Sequence, residues 1–222
     1  MSETSILAPV EEPTVSVIRV IVRATPIWKR AFDIFGSLIA ILLLSPLFVL
    51  IALHIKAVSK GPVLFCQKRL GLGTRYFVIY KFRTMKQGMQ IQKHEDYILS
   101  VASSDQPAKK PSYQSRLIPG GAFLRKLSLD ELPQLFNILL GTMSLIGPRP
   151  DVLELQHYKP WQTRRFEVLP GISGLWQVSG KNRLTFDEMV RLDIQYIDQL
   201  SLWQDLKITL RTCVMIASLN NE

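Results

Sequence analysis

Cysteine is scarce in this chain. There are two, Cys66 and Cys213, far apart and in no CxxC pair. This excludes a disulfide framework and a cysteine zinc site, and fits a reducing, cytosol-facing protein with two ordinary buried thiols. His54, His94 and His157 share no metal-ligand spacing and read as structural or exposed. Internal repeats are absent, and acids are in deficit, 18 against 27 bases, for a net charge of +9. Such an excess favours anionic partners: nucleic acid, acidic lipid headgroups or phosphorylated substrates. Nucleic acid is the poorest fit of the three. The basic residues are spread out with no recognition helix or aromatic-interleaved motif, 47% of residues are hydrophobic, and mean hydropathy is positive at +0.15. The 222 residues suffice for one domain with a core, with or without a membrane segment.

Long apolar runs are also lacking, with one exception. Ile34 to Leu53, "IFGSLIAILLLSPLFVLIAL", carries no charge, and a bilayer core of about 30 Å needs roughly 20 such residues in a helix. The run is long for a signal peptide and has no small-residue cleavage pattern after it. Ser45-Pro46 lies well inside it, where proline removes a backbone donor and favours a bend. Arg19, Arg23, Lys29 and Arg30 precede the run, and Lys56, Lys60, Lys68 and Arg69 follow it. The positive-inside rule keeps both flanks in the cytosol. A straight span cannot do that, so a helix broken at Ser45-Pro46 and returning through the same leaflet is favoured over a spanning one. The Ser45 hydroxyl is placed to take a carbonyl freed by the break.

Elsewhere, residues 1–26 read as a mobile segment, with some strand-like alternation in "VSVIRVIVR". "GPVLFCQKRLGLGTRYFVIYKFRTM" reads as a β-hairpin turning at "LGLG", which lacks the context of a dinucleotide fingerprint. "KQGMQIQKHEDYILSVA" reads as helical, and "SSDQPAKKPSYQSRLIPGG" as an exposed loop. Three better helices follow. Leu132 to Met143 has helical apolar spacing with Gly141 near its end. "TFDEMVRLDIQYIDQL" opens on a Thr185/Glu188 capping box. "SLWQDLKITLRTCVMIASL" opens on Ser201 and Gln204, and interleaves Trp203, Leu206, Leu210 and Val214 with Lys207 and Arg211. The last suits a membrane-surface helix or an ordinary packed one equally.

In "LRKLSLDELPQL" the adjacent acids Asp130 and Glu131 have two readings. Ser128-Leu129-Asp130-Glu131 fits a capping box, but Pro133 would then sit inside the helix. A helix starting nearer Pro133 leaves both acids at its mouth, where anions gather, with Arg125, Lys126 and Arg149 nearby in sequence. Local sequence supports capping and phosphate chemistry about equally.

"KRAFDIFGSLIAILLLSPLFVLIALHIKAVSKGPVLFCQKRLG", "KFRTM", "FLRKLSLDELPQLFNILLGTMSLIGPRP" and "LPGISGLWQVSGKN" stand in the order and spacing of the bacterial sugar transferases. These are monotopic phosphoglycosyl transferases, which begin polysaccharide and glycoconjugate assembly on a polyprenyl carrier. The chain resembles their short, catalytic-region-only form from about Lys29 to Arg211. The resemblance implies transfer of a sugar 1-phosphate from a UDP-sugar to undecaprenyl phosphate with release of UMP, the first membrane step of exopolysaccharide synthesis. It implies Asp130 as nucleophile and as ligand of Mg2+, and Glu131 as its partner in positioning or proton handling. Arg125, Arg149, Lys81 and Arg83 would bind substrate. Ser45-Pro46 would be the re-entrant break, and Lys29 with Arg30 the interfacial anchor. "GLWQVSG" and the C-terminal "LDIQYIDQLSLWQDLKI" resemble the hexose-1-phosphate branch, favouring glucose or galactose. Trp176 and Gln177 fit the sugar site less well than packing in a strand. Thr142 stands where relatives often carry an acid, and "SRLIPGGAFLRK" departs near Gly121.

The expected fold is α+β: a monotopic membrane protein with a Ser-Pro-broken re-entrant helix (27–58), amphipathic surface helices and a small β-hairpin, the cytosolic catalytic domain covering 59–222. The expected location is the cytoplasmic face of the bacterial inner membrane, against anionic lipids. The resemblance also admits a homodimer and association with other polysaccharide-assembly enzymes. The alternatives are a basic membrane-surface scaffold and an inactive relative.

Overall fold

The uncharged run folds into one helix, α1 (Ile27–Val58), in a computed structural model that describes residues 20–86, 99, 116–180 and 183–218. The helix does not break at Ser45-Pro46. Pro46 has no N–H for the Leu42 carbonyl, four residues back, and the Ser45 hydroxyl donates to that carbonyl instead at 2.9 Å. The expected interruption is thus corrected to a continuous helix with its one orphaned acceptor satisfied.

One stripe of α1 faces the rest of the protein along its whole length. Lys29, Asp33, Ser37, Ile51 and Ile55 are buried, and Ala40, Ile41, Leu47 and Phe48 pack against buried clusters between them. Steps of three and four residues keep these on one side. On the other side Leu42, Leu43, Val49, Leu50 and Leu53 are each more than half exposed. The helix is long and apolar enough to cross a membrane, by length and composition.

Lys29 is not at a surface. It is 2% exposed, and its ammonium donates to Asp205 Oδ2 at 2.7 Å and the Ile146 carbonyl at 2.9 Å. A buried cation needs such a partner, so the interfacial role expected of Lys29 is replaced by a pin into the interior.

The hairpin forms as expected. β1 (Leu64–Leu70) pairs antiparallel with β2 (Tyr76–Phe82), from Leu64 opposite Phe82 to Leu70 opposite Tyr76. Gly73 supplies the left-handed turn conformation at φ 58°. Two short helices follow, α2 (Gly121–Lys126) and α3 (Gln134–Leu139). Buried Asn137 accepts from the Tyr80 N–H at 3.0 Å and donates to the Val78 carbonyl at 2.7 Å, clipping α3 to the outer edge of β2. The helix expected to reach Met143 stops at Leu139, because Gly141 turns left-handed (φ 81°). Arg30 of α1 donates to the last carbonyls of α3, Ile138 at 2.6 Å and Leu139 at 2.9 Å.

β3 (Ser144–Ile146) and β4 (Gly171–Ser173) form a parallel pair. They approach so closely that a Cβ on Gly171 would lie 2.1 Å from the Gly147 nitrogen. Trp176 and Gln177 fall on a 3-10 turn (Trp176–Val178) rather than in a strand. α4 (Phe186–Asp198) carries the expected Thr185/Glu188 capping box, and Ser201 caps α5 (Leu202–Ala217). α5 exposes Trp203, Leu206, Leu210 and Val214. Among the described residues the architecture is α+β, with α1 laid along two small sheets and short helices. Cys66 and Cys213 are both exposed, contrary to the expected burial. The end of the 1–26 segment is anchored: the Arg23 N–H donates to the Glu167 carbonyl at 2.8 Å and its side chain pairs with Glu167 and Asp198. The rest of that segment (1–19), the helix expected from Lys86 to Ala102 apart from Lys86 and Leu99, most of the loop after it, and His94 lie outside the described residues.

Candidate active site

Ser128 does not cap. It sits at φ 55°, makes no side-chain capping bond, and is followed by a 3-10 turn, Leu129–Glu131, before Pro133 opens α3. Leu129 and Leu132 pack into the cluster under the second half of α1, fixing the turn from both sides. The chain between them presents Asp130 and Glu131 towards the hairpin.

Glu131 is clasped by two cations. Lys81 Nζ donates to Oε1 at 2.8 Å, and Arg149 spans both oxygens, NH1 to Oε2 at 3.0 Å and NH2 to Oε1. Burial pushes the Glu131 carboxyl up, but the Arg149 and Lys81 charges and hydrogen bonds outweigh it and hold the group well below the usual carboxylate range. Glu131 is therefore a fixed anion. Arg149 is held firmly protonated in return: burial lowers its pKa, and Glu131 more than reverses this. Burial lowers the Lys81 pKa, with Glu131 opposing it.

Asp130 shares the burial but not the clasp. Among the described residues no hydrogen bond to its carboxylate forms. Burial, and then the neighbouring Glu131 charge, push its pKa up to about 6, against the pull of Lys81, Arg125 and Arg149. The result is a carboxylate ionised at neutral pH, more basic than an ordinary aspartate, and not engaged by its neighbours.

The structure brings together Asp130, Glu131, Lys81 and Arg149, with Arg125, in the last turn of α2, near enough for its charge to act on Asp130. Arg83 is elsewhere. It is 5% exposed and donates to the Lys60 and Ser59 carbonyls at 2.6 and 3.0 Å, just past the end of α1. Its expected substrate contact is replaced by this structural one. Ser45, Pro46, Lys29 and Arg30 belong to α1 and its packing.

Two residues of this environment escaped sequence reasoning. Arg69 is 9% exposed. It donates to Gln67 Oε1 at 2.7 Å, and its Nε has no partner. Burial, with Arg149 adding to it, lowers its pKa to about 10, and the charges of Asp151 and Glu131 act on it in the opposite sense. The hairpin register would have found it. Phe65 faces Lys81 and Arg69 faces Phe77, so Arg69 and Lys81 share a face once the pairing is known. Asp151 followed the "GPRP" motif without being noticed.

A buried, partly unpartnered Arg69 beside Arg149 and Lys81 suits an anionic group such as phosphate. Among the described residues no cluster of three or more His, Cys, Asp or Glu assembles. A divalent ion at Asp130 would have one protein carboxylate and take its other oxygens from substrate phosphates and water. That is how Mg2+ is commonly held, so the residues fit it.

Such a site, one carboxylate without hydrogen-bond partners among the described residues beside a cluster of cations, fits a class that handles phosphorylated compounds. The chain belongs to the bacterial sugar transferase family, whose sequence model matches residues 24–218. It is 41% identical over 196 residues to the galactosyl transferase CpsE of Streptococcus agalactiae serotype III, covering 85% of this chain and 42% of that one. It is 39% identical over 187 residues to the exopolysaccharide production protein ExoY of Rhizobium meliloti, covering 83% of each. A UDP-glucose:undecaprenyl-phosphate glucose-1-phosphate transferase of Klebsiella pneumoniae is 35% identical over 197 residues, covering 84% of this chain and 39% of its own. The chain thus spans about two fifths of the length of the first and third of these relatives.

Proposed function

We propose that this protein transfers glucose 1-phosphate or galactose 1-phosphate from a UDP-sugar to undecaprenyl phosphate, releasing UMP, as the first membrane step of exopolysaccharide synthesis. The observation that carries this reading is the split dyad. Glu131 is neutralised by Arg149 and Lys81, while Asp130 stays unengaged with a pKa of about 6. Asp130 attacks the sugar-side phosphorus. The bond to the UMP oxygen breaks, and UMP leaves as a phosphosugar is held on the carboxylate. The undecaprenyl phosphate oxygen then attacks that phosphorus, and the Asp130 carboxylate is released. Dividing the displacement in two lets one site serve a soluble donor and a lipid acceptor in turn.

Glu131 acts by position rather than by proton transfer. Both of its oxygens are engaged, and its pKa is far below working pH. It holds Arg149 and Lys81 where phosphate oxygens arrive, and Arg69 adds a third cation with hydrogen-bonding capacity to spare. Bound Mg2+ would screen the approach of a carboxylate to a diphosphate.

The packing of α1 supports a reading of the membrane arrangement. Both its ends, Lys29 and Asp33 at one and Ile51 and Ile55 at the other, pack on the same domain. A helix crossing the bilayer would carry one end away from that domain. Support thus goes to a monotopic arrangement, with the exposed leucines and valines of α1 in one leaflet. Trp203, Leu206 and Leu210 of α5 add a second apolar strip. The catalytic side would be the cytoplasmic face of the inner membrane, where nucleotide sugars are available.

UMP release in the presence of undecaprenyl phosphate and Mg2+, measured across UDP-glucose, UDP-galactose and UDP-N-acetylhexosamines, tests the reaction and the sugar together. Release with a hexose donor supports the reading. Silence with all donors from folded protein sinks it in favour of an inactive relative.

A further inference from the structure

The turn that carries Arg149 is weakly held by its own backbone. Among the described residues no backbone–backbone hydrogen bond involves Arg149, Pro150 or Asp151, and Pro150 has no N–H to offer. Beside the Arg149–Glu131 pairing, what holds the turn is one side chain from another element. Arg165, on the 3-10 helix Pro160–Glu167, is 3% exposed at its side chain. Its NH2 donates to the Arg149 carbonyl at 2.8 Å and to Asp193 Oδ2 of α4 at 2.7 Å, while its NH1 pairs with the Asp151 carboxylate. Tyr158 and Phe186 flank the guanidinium, with ring centroids 5.9 and 6.0 Å away.

One planar fork therefore grips both ends of a three-residue turn and fastens it to α4. Asp193 is 1% exposed and its Oδ1 has no partner, so this carboxylate is buried with Arg165 as its counter-ion. A buried ion pair is weak evidence of stabilisation. Here its geometry has a clear consequence, since the backbone it fixes is the one from which Arg149 reaches Glu131.

We infer that Arg165 is a positioning residue of the site: acting through the Arg149–Asp151 turn, it sets where the Arg149 guanidinium lies. Among the described residues it makes no hydrogen bond to Asp130 or Glu131. Three acceptors in different directions need a fork, and a lysine ammonium, though charged, cannot reproduce that planar arrangement. The link also makes α4 and the site one mechanical unit, so a disturbance of α4 at Asp193 reaches Arg149. The kinetic consequence rests on the function proposed above, but the geometric one does not.

The test uses the full chain in detergent with 15N-labelled arginine. In the wild type, Arg149 held on both Glu131 oxygens gives resolved, slowly exchanging side-chain N–H signals, identified by their loss in Arg149→Lys. R165K and R165M should both average or lose these signals with the fold intact by circular dichroism. Their kcat/KM for UMP release should fall at least about tenfold, with no rescue by the retained charge of lysine. Should both variants fail to fold, Asp193→Asn weakens the α4 arm alone and should broaden the same signals. Unchanged Arg149 signals in a folded R165K, or a lowered melting temperature with unchanged signals and kcat/KM, would overturn the inference. A wild type that releases no UMP from any donor sinks the functional reading instead, and the arginine spectra still decide this one.

Discussion

Glu131 holds Arg149 by both carboxylate oxygens, and this pairing keeps its carboxyl well below the usual carboxylate range while its neighbour Asp130 is pushed up to about 6. Two adjacent carboxylates of the same chemistry are thus driven in opposite directions by the cations that reach one and not the other.

Removing the clasp should be costly. Glu131→Gln leaves Arg149 and Lys81 largely buried without their counter-ion, and breaking such a pair from one side costs about 3–5 kcal/mol. Thermal or denaturant unfolding of E131Q should show a loss of that order, with UMP release abolished. A stable E131Q would mean that the cations have another partner.

The raised Asp130 pKa fixes two signs. Catalysis needs the ionised form, so kcat/KM should fall about tenfold per pH unit below pH 6. For stability, a carboxyl raised from 3.8 to about 6 binds more protons in the folded state across that window. Its contribution is fully present below pH 4 and is lost as pH rises through 6. Asp130→Asn should therefore melt higher than the wild type at pH 7.5, by a few degrees, while losing activity. An unchanged or lowered melting temperature would mean the carboxylate is not strained in place.

Arg69 should matter for rate more than for stability. It is buried, its pKa is lowered by that burial, and its Nε is unpartnered. Arg69→Met should leave stability within about 1 kcal/mol of wild type and reduce kcat/KM on the order of 100-fold, read by side-by-side unfolding and kinetics. Loss of stability without loss of rate would assign it to the fold alone.

The monotopic reading predicts that both ends of α1 lie on one side of the membrane. With the exposed Cys66 and Cys213 replaced by serine, single cysteines at Ala24 and Lys60, both exposed, should react with an impermeant maleimide from the cytoplasmic side in each case. Reaction from opposite sides would mean that α1 spans.

Much of this was legible in the sequence wherever the signal was local. Turn glycines gave the hairpin, Thr185 and Ser201 marked two helix starts, and Asp130-Glu131 stood out among nearby cations. What stayed hidden depends on distant partners. Lys29 looked interfacial because the residue that buries it, Asp205, is 176 positions away. Pro46 is the local exception: the Ser45 hydroxyl takes the Leu42 carbonyl as anticipated, yet the helix runs on through it. Arg83 and Lys81 read alike in "KFRTM", yet one turns to the end of α1 and the other to Glu131. Arg69 and Arg165 needed, respectively, the strand register and the packing of α4.

The most direct test of the central claim is the intact mass of the protein after incubation with UDP-glucose or UDP-galactose and Mg2+, without lipid acceptor. The account predicts an adduct of one hexose phosphate located on Asp130, discharged by undecaprenyl phosphate and absent from D130N. UMP release that persists in D130N, with no adduct on the wild type, would contradict it.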